Sequence, residues 1–135
     1  MAESFVTLSA GFSTADADRP EIAYARGDLL VKFKDWREQP VALRFPDAVA
    51  FRWQDEAALP ADVRDDSSYE VIDSVWVAEL RSFNALPEEP HHYILCFNAA
   101  GVLNVVSGPL AGGGYNQRAK QRGESKGRRG GTLRR

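Results

Sequence analysis

Cysteine is almost missing from this chain. Cys96 is the sole example in 135 residues, so no internal disulfide can form and a reducing compartment is the simpler expectation. Long apolar runs are also missing. Nothing approaches the roughly 18 residues that a membrane span requires. Met1-Ala2-Glu3-Ser4 has neither the basic start nor the apolar stretch of a signal peptide, and a cytoplasmic protein without membrane association is expected. Histidine is confined to His91 and His92. Adjacent strand residues point to opposite faces, so only one of the two can join any given metal site, and Glu88, Glu89, Asp65 and Asp66 offer no ligand spacing that completes a set. No cofactor or metal is expected. Gly112-Gly113-Gly114 lacks the Gly-Lys-Ser/Thr ending of a phosphate loop and reads as a linker. No repeat at solenoid spacing is present.

What the chain does have is a division of charge. Residues 1–107 hold 9 of the 17 Lys and Arg but 18 of the 19 Asp and Glu, a net charge of about −9. From Gly108 onward Arg118, Lys120, Arg122, Lys126, Arg128, Arg129, Arg134 and Arg135 face Glu124 alone, a net of +7 that restores the whole-chain value of −2. The expected organisation is an acidic domain over residues 1–107 and a basic Gly/Arg-rich tail over 108–135. The tail holds too little apolar surface to offset the entropy of ordering, so disorder is expected there.

Within the acidic domain, period-two alternation predicts strands. Leu29, Val31 and Phe33 would face a core while Lys32 and Lys34 face water. Val41, Leu43 and Phe45 repeat the pattern with Arg44 outward, as do Val49, Phe51 and Trp53 with Arg52 outward. Asp35 to Pro40 reads as a turn. Pro46-Asp47-Ala48 leaves two alternatives for residues 41–54, one kinked strand or a tight hairpin, because Phe45 and Val49 share parity. Ile22 to Arg26 pairs naturally with Leu29 to Lys34 through Gly27-Asp28, and Phe5 to Leu8 suits an edge strand. His92 to Phe97 and Val102 to Val106 flank Asn98-Ala99-Ala100-Gly101 as a hairpin in which Gly101 can supply a positive φ. Residues 54–73 read mainly as an acidic loop, although Tyr69-Glu70-Val71-Ile72 looks extended; Ser74 can cap a short helix, and the prolines of residues 84–90 make a connector. The fold class expected is α+β: a predominantly antiparallel sheet of about six or seven strands, one short helix and the tail.

The candidate chemistry is sparse. Cys96 lies on a strand whose alternation places His92 on the same face, but a nucleophile and its base are normally brought together from separate parts of a fold, and a cysteine in an apolar run is expected to be buried and inert. Seven acids between Asp55 and Asp73 read as a solvated surface rather than an acid and base pair. Large rings anchor interfaces. Trp53 continues the inward parity of its strand, whereas Trp36 sits in a polar turn and is the better exposed anchor.

The stretches Val31-Lys32-Phe33-Lys34-Asp35-Trp36-Arg37, Phe45-Pro46-Asp47-Ala48-Val49-Ala50-Phe51-Arg52-Trp53 and His92 to Val105 resemble small bacterial β-rich domains and, loosely, the immunity proteins of polymorphic toxin systems. The likeness covers residues 20–107 and implies a cytosolic domain that binds another protein. It carries no catalytic motif, and no site residue follows from it.

The function expected is thus non-enzymatic protein binding, with Trp36, Asp65 and Asp66 as contact residues. The alternative is weak, sequence-independent nucleic-acid association through the eight basic tail residues, which can neutralise phosphates but lack repeated stacking aromatics. A dispensable tail is a third outcome.

Overall fold

The computed structural model describes residues 2–8, 11–83 and 86–114. Their alternating segments form β1 (Ser4–Thr7), β2 (Glu21–Ala25), β3 (Asp28–Lys34), β4 (Pro40–Phe45), β5 (Ala50–Gln54), β6 (Ser68–Ile72), β7 (His91–Phe97), β8 (Gly101–Ser107) and β9 (Ala111–Gly114), with α1 (Val75–Arg81) between β6 and β7. Every pairing is antiparallel. The strands make a five-stranded sheet in the order β1-β6-β7-β8-β5 and a four-stranded sheet in the order β2-β3-β4-β9. Among the described residues no helix is long and apolar enough to cross a membrane.

The two sheets face each other across one core. Leu29, Val31, Phe33, Val41, Leu43 and Phe45 enter it from the four-stranded sheet, as their alternation requires, and meet Tyr93, Leu95, Phe97, Leu103 and Val105 of β7 and β8. Phe33 packs edge-on against Phe97 at 5.0 Å, and Phe45 tilts against Tyr93 at 5.6 Å. Each fully buried side chain of this size stabilises the fold by roughly 1.5–3 kcal/mol.

Four local expectations change. Residues 41–54 form neither a kinked strand nor a hairpin, because β4 and β5 belong to different sheets and the chain crosses between them at Pro46-Asp47-Ala48. The β2–β3 turn sits at Arg26 and Gly27, both at positive φ (55° and 86°), one residue earlier than the expected Gly27-Asp28. Gly101 does not supply a positive φ. A Cβ there would stand 2.5 Å from the Gln54 carbonyl oxygen and 2.5 Å from the Trp53 ring, so its role is close approach to β5. Finally, Gly112 to Gly114 is not a linker but part of β9, which pairs with β4. The sheet therefore extends past the boundary expected at Ser107, and β9 is one reason the strands exceed six or seven. Residues 115–135, which include the basic set from Arg118 to Arg135 and the disorder expected of it, lie outside the described residues.

The outer face of the five-stranded sheet has a smaller core of its own. Tyr69, Val71, Ile94, Cys96 and Val102 point away from the sandwich and are covered by Val63, Ala57 and Leu59 of the loop before β6 and by Phe5 of β1. That cover is incomplete beside α1, and the gap is the candidate site.

Candidate functional site

The site begins with a helix cap. Ser74, itself extended, follows the left-handed Asp73 at the end of β6, and its side-chain oxygen accepts the Val77 N–H at 3.1 Å, which satisfies one of the donors that α1 leaves open at its start. The same Oγ lies 2.7 Å from Nδ1 of His92 on β7. On the other side of the ring, Nε2 is 2.8 Å from Oδ1 of Asn104 on β8. The chain of bonds closes with the Ser74 hydroxyl donating to Nδ1 and Nε2–H donating to the Asn104 oxygen. All three side chains are buried.

Burial pushes the His92 pKa down, and the nearby Arg52 charge acts in the same sense, while the Asn104 bond and the Glu3 charge oppose them without prevailing. The lowered pKa favours the neutral imidazole, in which Nδ1 accepts and Nε2–H donates. Trp76, on the first turn of α1, meets the His92 ring edge-on at 5.4 Å and carries the Arg52 guanidinium over its face at 4.7 Å. Arg52 has no ion-pair partner among the described residues.

These residues line a cleft of about 370 Å³ on the outer face of the sheet, between α1 and residues 57–60. Val71, Ile94, Val102, Phe5 and Leu59 supply apolar wall; Arg52, Gln54, Asn104, Glu3 and Glu79 supply polar groups. Asn104 is 6 % exposed, and its amide nitrogen has no partner among the described residues. Buried donors are nearly always paired in folded proteins, so an unpaired one at a cleft marks a place for an external acceptor.

Ser74, His92 and Asn104 have the residue types of a nucleophile, base and orienter, but the Ser74 oxygen accepts the Val77 N–H, is buried beneath the helix start and does not line the cleft. What the arrangement does chemically is hold. It fixes the imidazole, and the imidazole fixes the Asn104 carboxamide.

The residues singled out from sequence lie elsewhere. Trp36 is 60 % exposed at the β3–β4 turn, with Arg37 over its ring at 5.5 Å. Asp66 is bound to Arg64 at 3.1 Å and to Ser67, whereas Asp65 is exposed with no bonded partner among the described residues. Asp65 borders a second groove, of about 350 Å³, that shares Ala57, Leu59 and Val102 with the cleft. Ser67 accepts the Cys96 N–H, and Phe33 touches Phe97, so the β3–β4 turn and the Asp65 loop occupy one end of the sandwich. Cys96 is fully buried, and burial together with the Asp65 and Asp66 charges pushes its thiol up to about 11. His91 faces away from His92, as alternation requires, and stands 2.6 Å from Glu70. Among the described residues no three His, Cys, Asp or Glu side chains converge on a metal position.

Sequence reasoning missed Ser74 as more than a cap, Asn104, and the pairing of Arg52 with Trp76. One signal was present: Asn104 is a polar residue inside the apolar run Val102 to Val106. No protein-family model matches the chain, no curated protein matches it, and no solved structure matches it.

Proposed function

We propose that this chain is a non-enzymatic protein-binding domain, of the immunity-like inhibitor kind, and that the cleft beside α1 receives part of its partner. The observation that carries the reading is the Asn104 amide nitrogen, buried and unpaired at a cleft, directly across the ladder from Arg52, a cation with no ion-pair partner among the described residues. Both groups lack an acceptor that a partner can supply. The burial of Ser74 beneath the helix start, away from the cleft lining and with its oxygen accepting the Val77 N–H, supports binding over covalent chemistry. The acids beside the second groove that carry no ion pair among the described residues, Glu56 and Asp65, suit a partner whose approaching surface is basic overall.

The full-length protein, immobilised and exposed to bacterial lysate, tests this. A specific protein should be retained by the wild type and lost from both Arg52→Gln and Trp76→Ser when those variants keep their thermal stability. Catalytic turnover that disappears in a folded Ser74→Ala variant would replace binding with catalysis. Nucleic-acid association through the tail is the second reading, favoured by the eight basic residues after Gly108.

A further inference from the structure

We propose that the cleft recognises a carboxylate carried on an apolar body, the chemistry shared by a hydrophobic carboxylic acid and by the free C-terminus of a partner polypeptide. The inference rests on the reading of the cleft as a binding site and adds the group that is bound.

The donor inventory decides the ligand. Asn104 has its carboxamide oxygen engaged by His92, so the group it leaves without a partner among the described residues is the NH₂, with its two donors. Arg52 offers donors only. The two residues are direct partners in the β5–β8 register, which puts their Cβ atoms about 4.5–5.5 Å apart on one face of the sheet. Two donor groups carried from paired positions on one face, one of them cationic, match an acceptor-only group with two oxygens. A neutral carbonyl would leave the Arg52 charge without its counterpart. A phosphate would bring a larger negative charge beside Glu3 and Glu79, which line the same cleft, whereas a single carboxylate meets less repulsion.

The rest of the cleft suits the body of such a ligand. Phe5, Val71, Ile94, Val102 and Leu59 present apolar surface, and Trp76 forms a flat wall. Its volume of about 370 Å³ falls in the range of small-ligand sites. His92 has both ring nitrogens engaged and acts as a positioning residue, holding the carboxamide so that its NH₂ is turned away from the ring.

The test uses the full-length ¹⁵N-labelled protein and two pairs of probes: 3-phenylpropionate with 3-phenylpropionamide, and acetyl-alanyl-leucine with its C-terminal amide. At least one acid should bind and shift the Asn104 side-chain NH₂ signals. Its amide should bind at least about tenfold more weakly, because a charge-assisted pair is replaced by a neutral one. Arg52→Gln, at an exposed position, should lose a similar factor. Asn104→Asp, which keeps shape and the acceptor for His92, should abolish binding by placing like charge against the ligand. Equal binding of acid and amide, undiminished binding by Arg52→Gln, or no binding of either acid at millimolar concentration overturns the proposal. Tighter binding of the peptide acid identifies a polypeptide terminus as the source, and tighter binding of phenylpropionate identifies a free acid; both orders support the carboxylate. Loss of partner capture in Arg52→Gln without any acid binding would overturn the carboxylate and spare the binding site. Acid binding with unchanged partner capture would do the reverse.

Discussion

The Ser74 side-chain oxygen lies 2.7 Å from Nδ1 of His92 and 3.1 Å from the Val77 amide, so one hydroxyl both starts α1 and orients an imidazole on β7. Replacing it removes two interactions at once. Ser74→Ala should destabilise the fold by about 2–4 kcal/mol, the sum of a lost cap and a buried nitrogen left without its donor. Urea unfolding followed by circular dichroism measures this. A change within a few tenths of a kcal/mol would show that the helix and ring find other partners.

The same ring makes stability depend on pH. Burial holds the folded pKa of His92 below the unfolded value near 6.5, so the unfolded chain takes up the proton first as pH falls. Stability from this group is full above about pH 6.5 and is lost as pH drops from there through the folded value. The melting temperature should therefore fall between pH 7 and 5 in the wild type and fall less in His92→Gln. Asp35 acts lower on the scale. Burial alone would raise its pKa, but bonds from the Gln39 and Arg37 amides and the Arg37 guanidinium outweigh it, so its contribution is present above about pH 4 and lost below.

Gly101 offers a test of packing rather than charge. A methyl group there meets the Gln54 carbonyl oxygen and the Trp53 ring at 2.5 Å each, and one of the two is backbone that cannot rotate aside. Gly101→Ala should cost at least the 1–3 kcal/mol typical of overpacking, roughly, and should loosen β5 from β8. Hydrogen exchange at Arg52 and Gln54 should quicken more than at Leu95, whose strand is paired on both sides.

How much of this was legible in the sequence depended on how local each cause was. Leu29, Val31, Phe33 and the Ser74 cap follow from period and side-chain chemistry within a few residues. Val49 and Phe51 show the limit. Phe51 pairs with Val105 on the inner face, as its parity requires, yet it is 42 % exposed because β5 is the last strand of its sheet. Parity sets the face, but strand order sets the burial. Gly112 reads as a linker because glycine weakens strands, and it becomes strand because β4 has an open edge that admits a residue without a side chain, a Cβ there falling 2.5 Å from the Ala42 carbonyl oxygen. The cleft was the least legible part, since Arg52, Trp76, His92 and Asn104 come from four separate segments whose alignment no local pattern records.

Asp65 and Asp66 were equal as sequence candidates and differ in the fold. Asp66 is held by Arg64, so Asp66→Asn also releases a cation, whereas Asp65 is exposed with no bonded partner among the described residues. Asp65→Asn should slow association with a basic partner and reduce the salt dependence of that rate while leaving dissociation nearly unchanged. Stopped-flow measurements at two ionic strengths separate these rates. A change confined to dissociation would place Asp65 in direct contact instead.

The strand β9 lies between Ser107 and the basic tail. Because β9 completes the edge of the four-stranded sheet beside β4, a chain ended at Ser107 removes a strand as well as the basic residues, and any loss of binding would mix two causes. A chain ended at Gly114 keeps β9 and removes all eight basic side chains from Arg118 to Arg135. Its net charge becomes strongly negative, so its affinity for a labelled single-stranded oligonucleotide should fall to background. Full-length protein should bind weakly, without sequence preference, and lose most of that binding between low and physiological salt, because counterion release is the mechanism open to such a composition. Equal binding by both chains would remove the tail from nucleic-acid recognition. Binding by neither, with faster partner association once the tail is gone, would indicate that its charge covers the acidic loop around Asp65.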